Sequence, residues 1–375
     1  MRYQSTVFGQ LLKEVPRGWF ERVAAEHRER RKRGLSEWGH LVAMVSVHLA
    51  GARSLREVER TLDRQKSAFA HLDVKQVRRS TLADANAGRP AVVFETVAAR
   101  LSGELARRGR SREALRLIDA TRIFAGRRME EWTGSGGVKL HMTLDPESGR
   151  PTWFVVTPER VNDITAAKTM PIEPGATYVF DKGYYDFGFW ARLHAQRCRF
   201  VTRLKKNSPT RLIEERVAAG DGIVFDRVVR LSNRLMGQRR NPFEAPVRLV
   251  RVTISTGREI VLLTNDLDAP AGEIARLYKA RWQIELFFKW IKQNLKIAHF
   301  LGASENAAVI QIMAALIAYL LLRLAQMRHH ASIGLQAIAR LMPGLLLTRR
   351  PLDSVLNQPD PRPPIIASQL ELAYA

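Results

Sequence analysis

Cysteine is nearly absent: Cys198 is the only one in 375 residues, so neither an intramolecular disulfide nor a thiolate metal cage can form. A disulfide-stapled mini-protein is thereby excluded, and a reducing cytosol fits best. Long apolar runs are lacking too. The longest, Ala307 to Leu322, would span about 24 Å as helix, short of the roughly 30 Å hydrocarbon core, and Gln311 interrupts it. It reads as a buried core helix, and no membrane is expected as a partner. The first residues, MRYQSTVFGQLLKEVPRGWF, hold no apolar stretch of the secretory kind, so export is not expected. No repeat or low-complexity tract is present. Acidic residues are scarce against basic ones, 37 to 60, which leaves a formal charge of +23. With 46% hydrophobic residues this surplus decorates a folded surface and points to a polyanion, nucleic acid first and an anionic membrane surface second. The latter lacks support, since no isolated amphipathic or lipidated segment accompanies the charge.

The first third has helical spacing, at 17–31 and 36–50, with Ser54 and Glu57 forming a capping-box signature and Ser80 or Thr81 available to cap another short helix. Several short helices in a basic context suit a helix-turn-helix-like DNA reader. From residue 115 the pattern changes. LRLIDATRIF, VKLHMTL (138–144) and PTWFVVT (151–157) are branched apolar runs, the last two joined by turn residues 145–149. A helix from near Asp163, strand TYVFD (177–181), helix 186–197 and strand RFVTRL (199–204) follow. The order βββαβαβ predicts a mixed sheet with helices on its faces, a ribonuclease-H-like arrangement among others. Residues 210–265 hold further β-like stretches, and helical patterns return at 270–297 and 304–328. The expected division is a helical DNA-binding domain (1–110), an α/β core in two parts (111–208 and 269–345) around a β-rich insertion (209–268), and an irregular tail (346–375).

Three acids stand out by position: Asp119 near the end of the first strand, Asp181 closing TYVFD, and Glu285 in the long helix. Their neighbours Leu117, Ile118, Val179, Phe180, Leu286 and Phe287 are apolar, so each carboxylate is costly unless paired. A hard divalent cation would supply the pairing. Strand-end aspartates are commonly turn or cap residues, and Asp163 and Asp186 are assigned to capping. At about 100° per residue, Tyr278, Arg281, Glu285 and Lys292 fall within an arc of roughly 60°, beside a buried stripe of Leu277, Ile284, Phe288, Ile291 and Leu295. Such a face could bind metal through Glu285 and phosphate through its neighbours; simple i, i+4 and i, i+7 ion pairing is the competing explanation. Lys205–Lys206, Arg239–Arg240 and the cluster Arg28 to Arg33 are candidates for DNA backbone contacts, while Arg203 and Asn207 lie near a strand end close to the presumed site.

The spacing Tyr278-x2-Arg281-x3-Glu285-x6-Lys292 resembles the Y-R-E-K signature of insertion-sequence family 4, the bacterial DDE transposases. Asp119 in LIDAT resembles that family's first aspartate, and Asp181 in DKGYYD its second-aspartate motif. The resemblance covers about 110–345 well and the N-terminal region more loosely. It implies a ribonuclease-H-like core whose Asp119, Asp181 and Glu285 hold two Mg²⁺ ions, with Mn²⁺ as a substitute. It also implies that Tyr278, Arg281 and Lys292 contact DNA. Cut-and-paste transposition between inverted-repeat ends and target DNA, by a homodimer on DNA in the bacterial cytoplasm, is the implied activity. Relatives stack a Trp of the β insertion on a flipped base during hairpin formation, yet residues 210–265 contain no Trp. A metal-dependent endonuclease without strand transfer and a binding-only regulator are the rival readings.

Overall fold

The computed structural model describes residues 5–27, 34–109, 113–124, 130–133, 136–206, 208–232, 240–295, 297 and 300–357. Arg28 to Arg33, Asn207, Arg239 and the tail 358–375 lie outside the described residues. The N-terminal helices are α1 (Val7–Leu12), α2 (Arg17–Glu26), α3 (Glu37–Ala50), α4 (Leu55–Arg64), α5 (Lys66–Ala70), α6 (Arg79–Gly88) and α7 (Val92–Arg108). Ser36 and Ser54 cap α3 and α4 by accepting from Gly39 N (3.0 Å) and Glu57 N (3.2 Å). The Glu57 carboxylate reaches back to the N–H of Arg53 (2.7 Å), one residue before the cap. Ser80 and Thr81 cap nothing: α6 begins at Arg79, so both sit inside its first turn.

The chain then forms β1 (Leu115–Phe124), α8 (Glu130–Thr133), β2 (Gly137–Asp145), β3 (Arg150–Pro158), α9 (Asp163–Ala167), β4 (Thr177–Val179), α10 (Phe187–Ala195) and β5 (Arg199–Arg203). The β2–β3 turn is held by Asp145, which accepts from the N–H of Glu147 (3.1 Å), and by Gly149 at φ +67. Four more strands follow: β6 (Thr210–Arg216), β7 (Ile223–Leu231), β8 (Val247–Thr253) and β9 (Glu259–Thr264). All nine lie in one mixed sheet, ordered β3-β2-β1-β4-β5-β9-β8-β7-β6. The β1–β2–β3 meander is antiparallel, β1, β4 and β5 run parallel, and β9 turns the direction again. The strands of the 209–268 segment thus continue the same sheet. β6, its outer edge strand, was not singled out in the sequence because both its faces are exposed and no apolar alternation marks it.

The pleat sorts the side chains. Leu117, Val179 and Val201 are level across β1, β4 and β5 and pack into one core; Ile118, Tyr178 and Phe200 point to the other, under α10. The first face is covered by α11 (Ala271–Ala280), α12 (Trp282–Asn294) and α13 (Glu305–Arg328), with α14 (Leu335–Leu345) and α15 (Leu352–Leu356) beyond. Ser304 caps α13 by accepting from Ala307 N (3.2 Å). Among the described residues, α13 is the one helix long and apolar enough to cross a membrane, and 94% of that stretch is buried against protein. It packs on α3, α6 and α7 of the N-terminal region and on α12 and α14. Tyr319 and Arg323 also donate to the carbonyls of Gly149 (2.5 Å) and Ser148 (3.0 Å) in the β2–β3 turn. The helical region and the sheet therefore share one continuous core.

Candidate active site

Asp119 stands mid-strand and not at a strand end, because the β1–β2 pair runs on through Phe124↔Gly137 after β4 has stopped at Val179. It marks the residue at which β1 passes from buried to half-buried. Asp181 follows β4 by two residues. Leu117 pairs with Val179, and each aspartate lies two positions further, so the pleat sends both toward the face covered by α12. The Asp181 carboxylate also caps a 3₁₀ turn at Lys182–Tyr184 by accepting from Gly183 N (2.7 Å). A Cβ at Gly183 would stand 3.0 Å from that oxygen, which gives the glycine of DKGY a local reason. Asp163 does not cap α9. Asn162 holds the cap position, and Asp163 pairs with Lys139 (2.9 Å). Asp186 does cap α10, accepting from Phe189 N (2.7 Å).

The expected single helix 270–297 is divided at Arg281, where Arg281 N donates to Tyr278 O (3.1 Å) and Ile284 N to Arg281 O (3.2 Å), three residues back each time. The break leaves the polar stripe together. Arg281 lies over the Tyr278 ring, 5.8 Å from its centroid, and its guanidinium reaches Glu285 (2.5 Å) and Asp119 (3.6 Å). Glu285, Lys289 and Lys292 face Asp119, Ala120 and Thr121 across an open cleft of about 550 Å³. The stripe Leu277, Ile284, Phe288, Ile291 and Leu295 is buried as its spacing requires.

Burial pushes the Asp119 carboxyl up to about 6, and the negative charges of Asp181 and Glu285 add to this. The N–H of Ala120 (2.8 Å) and Arg281 partly offset it. Burial opposes the charge on Arg281, but Tyr278, Glu285 and Asp119 hold it above its ordinary value. Burial lowers the Lys292 ammonium. Asp119 thus feels the charge of both other acids, and Arg281 is set between it and Glu285. Among the described residues no three acidic, His or Cys side chains stand close enough to enclose a metal ion, and Asp181 does not line the cleft shared by Asp119 and Glu285. By chemistry alone the carboxylates of Asp119, Asp181 and Glu285, the first half-buried and poorly compensated, are hard oxygen donors of the kind that suits Mg²⁺ or Mn²⁺.

Two features escaped the sequence. Lys289 lines the cleft, one turn after Glu285, and its i+4 spacing was the available signal. The hydroxyl of Tyr184, fully buried and without a hydrogen-bond partner among the described residues, lies in the field of Asp119, Asp163 and Asp181.

Comparison with known proteins gives a consistent result. The family described as "Transposase DDE domain" matches residues 110–321, and one described as "Domain of unknown function (DUF4372)" matches 3–75. A Sinorhizobium fredii protein bearing the transposase name y4zB is 41% identical over 310 residues, 78% of this chain and 85% of its own. The "Probable transposase for insertion sequence element IS5377" of Geobacillus stearothermophilus is 29% identical over 222 residues, 56% of each chain. The "Transposase InsG for insertion sequence element IS4" of Escherichia coli is 31% identical over 156 residues, 39% of this chain and 34% of that one.

Proposed function

Because this chain belongs to the DDE-domain transposases of the insertion-sequence family 4 kind, we propose that it cleaves DNA at the ends of a mobile element and joins the freed 3′ ends to target DNA. The observation that carries the reading is the single guanidinium of Arg281 within ion-pair reach of both Asp119 and Glu285, acids remote in sequence brought to one cleft by β1 and α12. The strand order β3-β2-β1-β4-β5 with its parallel centre supports a ribonuclease-H-like core.

In this reading Asp119, Asp181 and Glu285 would hold two Mg²⁺ ions, or Mn²⁺, which when bound supply an activated water and stabilise charge on the leaving oxygen. The protein's own residues do the rest. Asp119, kept half-protonated near pH 6 by burial, becomes a full anion above that pH. Arg281 is shared by two acids and turns its remaining donors to a non-bridging phosphate oxygen, with Lys292 and Tyr278 gripping the flanking backbone. The apolar wall of Phe288 and Ile291 limits water access beneath. A homodimer on the paired DNA ends, in the bacterial cytoplasm, completes the proposal. Opening through a hairpin remains part of it, with a residue other than a β-insertion Trp taking the flipped base.

The test uses a short duplex carrying the inverted repeats that flank the gene, with Mg²⁺. Wild type should nick the end and yield joined products. Asp119→Asn, Asp181→Asn and Glu285→Gln should bind the duplex and leave it whole. Wild-type cleavage by any of the three removes that residue from the site, and nicking without joined products would favour an endonuclease.

A further inference from the structure

Six arginines on or beside the sheet have an acid at hand: Arg116 with Glu173, Arg122 with Glu159, Arg199 with Asp266, Arg227 with Glu215, Arg251 with Glu259 and Arg276 with Glu113. A group of four cations at one end of the sheet is arranged otherwise. Lys182 follows Asp181 directly, Arg203 ends β5, Lys206 lies three residues on, and Arg258 closes the β8–β9 turn directly before β9. The antiparallel β5–β9 register, Arg203 opposite Leu262, brings Arg258 to the same end of the sheet as Arg203 and Lys206. The parallel β4–β5 register, Val179 opposite Val201, sets Lys182, three residues past Val179, at that end as well. Among the described residues none of the four cations makes an ion pair or hydrogen bond with an acidic side chain. Next to them Lys205 lies over the Tyr185 ring, 4.8 Å from its centroid.

Strand order fixes where the group sits. Lys289 and Lys292 flank Asp119 on the β1 side of the cleft, whereas these four lie past Asp181, on the β5–β9 side. Four like charges crowded at one sheet end repel one another and lower stability unless an anion is gathered there. A phosphodiester held at the carboxylates has backbone running out on both sides, and the α12 cations can hold only one of them. Resting on the transposase reading above, we propose that Lys182, Arg203, Lys206 and Arg258 form a second track for backbone phosphates, gripping the DNA that leaves the cleft past Asp181. The track binds charge and not base sequence.

The test is binding of a fluorescent duplex of arbitrary sequence, followed by anisotropy over a range of salt. Lys206→Gln with Arg258→Gln should flatten the plot of log affinity against log salt by about 1.8, at about 0.9 per lost phosphate contact. The charge-keeping pair Lys206→Arg with Arg258→Lys should retain the wild-type slope. An unchanged slope in the neutral pair, or equal flattening in the charge-keeping pair, overturns the track. If the neutral pair flattens the slope while wild type cleaves no repeat-bearing duplex, the track stands and the catalytic reading falls.

Discussion

Replacing Asp119 with Asn should make the protein more stable while it removes cleavage. The side chain is 19% exposed, and its carboxyl is pushed from an ordinary 3.8 up to about 6, chiefly by burial. At about 1.36 kcal/mol per pH unit that gap is worth about 3 kcal/mol against the ionised native state. The folded value lies above the unfolded one, so the penalty is absent below about pH 3.8, grows between 3.8 and 6, and is complete above 6. Asparagine has no charge to bury, and its side-chain oxygen can still accept from Ala120 N. With about 2.1 cal/mol/K of unfolding entropy per residue, Asp119→Asn should raise Tm at pH 8 by about 4 °C. About half of the gain should remain at pH 5. Thermal unfolding of both proteins in EDTA checks this, since ions that stabilise only the wild type are then removed. No gain at pH 8, or the same gain at pH 5, would refute the claim that a poorly compensated carboxylate occupies this position.

Three buried histidines should make the protein acid-sensitive. Burial lowers His40 to about 3 and His48 and His141 to about 4, all below 6.5, so stability is full above pH 6.5 and falls as pH drops toward 4. Near pH 5 the three histidines together should cost about 4 kcal/mol per pH unit, offset by about 1 kcal/mol per pH unit regained at Asp119, and His40→Gln should remove about 1.4 kcal/mol per pH unit of the slope in urea titrations; an unaltered slope would count against the assignment. Asp226 and Arg248 form a buried pair (2.5 Å), so Asp226→Ala should cost about 3 to 5 kcal/mol, whereas Asp226→Leu with Arg248→Met should cost much less. Equal losses in the two would mean that the stranded guanidinium is not the cause. Gly183→Ala should lower cleavage about tenfold at unchanged DNA affinity by displacing the Asp181 carboxylate, and full cleavage activity would show that the capped position is not needed.

Period and spacing reach as far as side-chain alternation is governed by burial. The ten residues LRLIDATRIF form β1 without a residue to spare, and the capping serine before α4 does what its Glu57 partner suggested. The stripe from Tyr278 to Lys292 was legible because helical geometry is local. What failed depended on tertiary pairing. Asp119 looked like a strand end because its apolar run stops there, but β2 goes on pairing with β1. Asp163 looked like a cap, but Lys139 from the adjacent strand claims it. The position of Arg281 between Asp119 and Glu285 depends on where β1 and α12 meet, which no local pattern encodes.

The placement of α13 has a bearing on engineering. Its apolar surface is divided between helices from the beginning of the chain and α12, and Val7 and Phe8 donate to the carbonyls of Thr348 and Leu346 near the other end. Grafting a foreign targeting module in place of the first hundred residues would strip one flank of this spine and invite aggregation. A retargeted version is better built by appending the new module outside the intact chain.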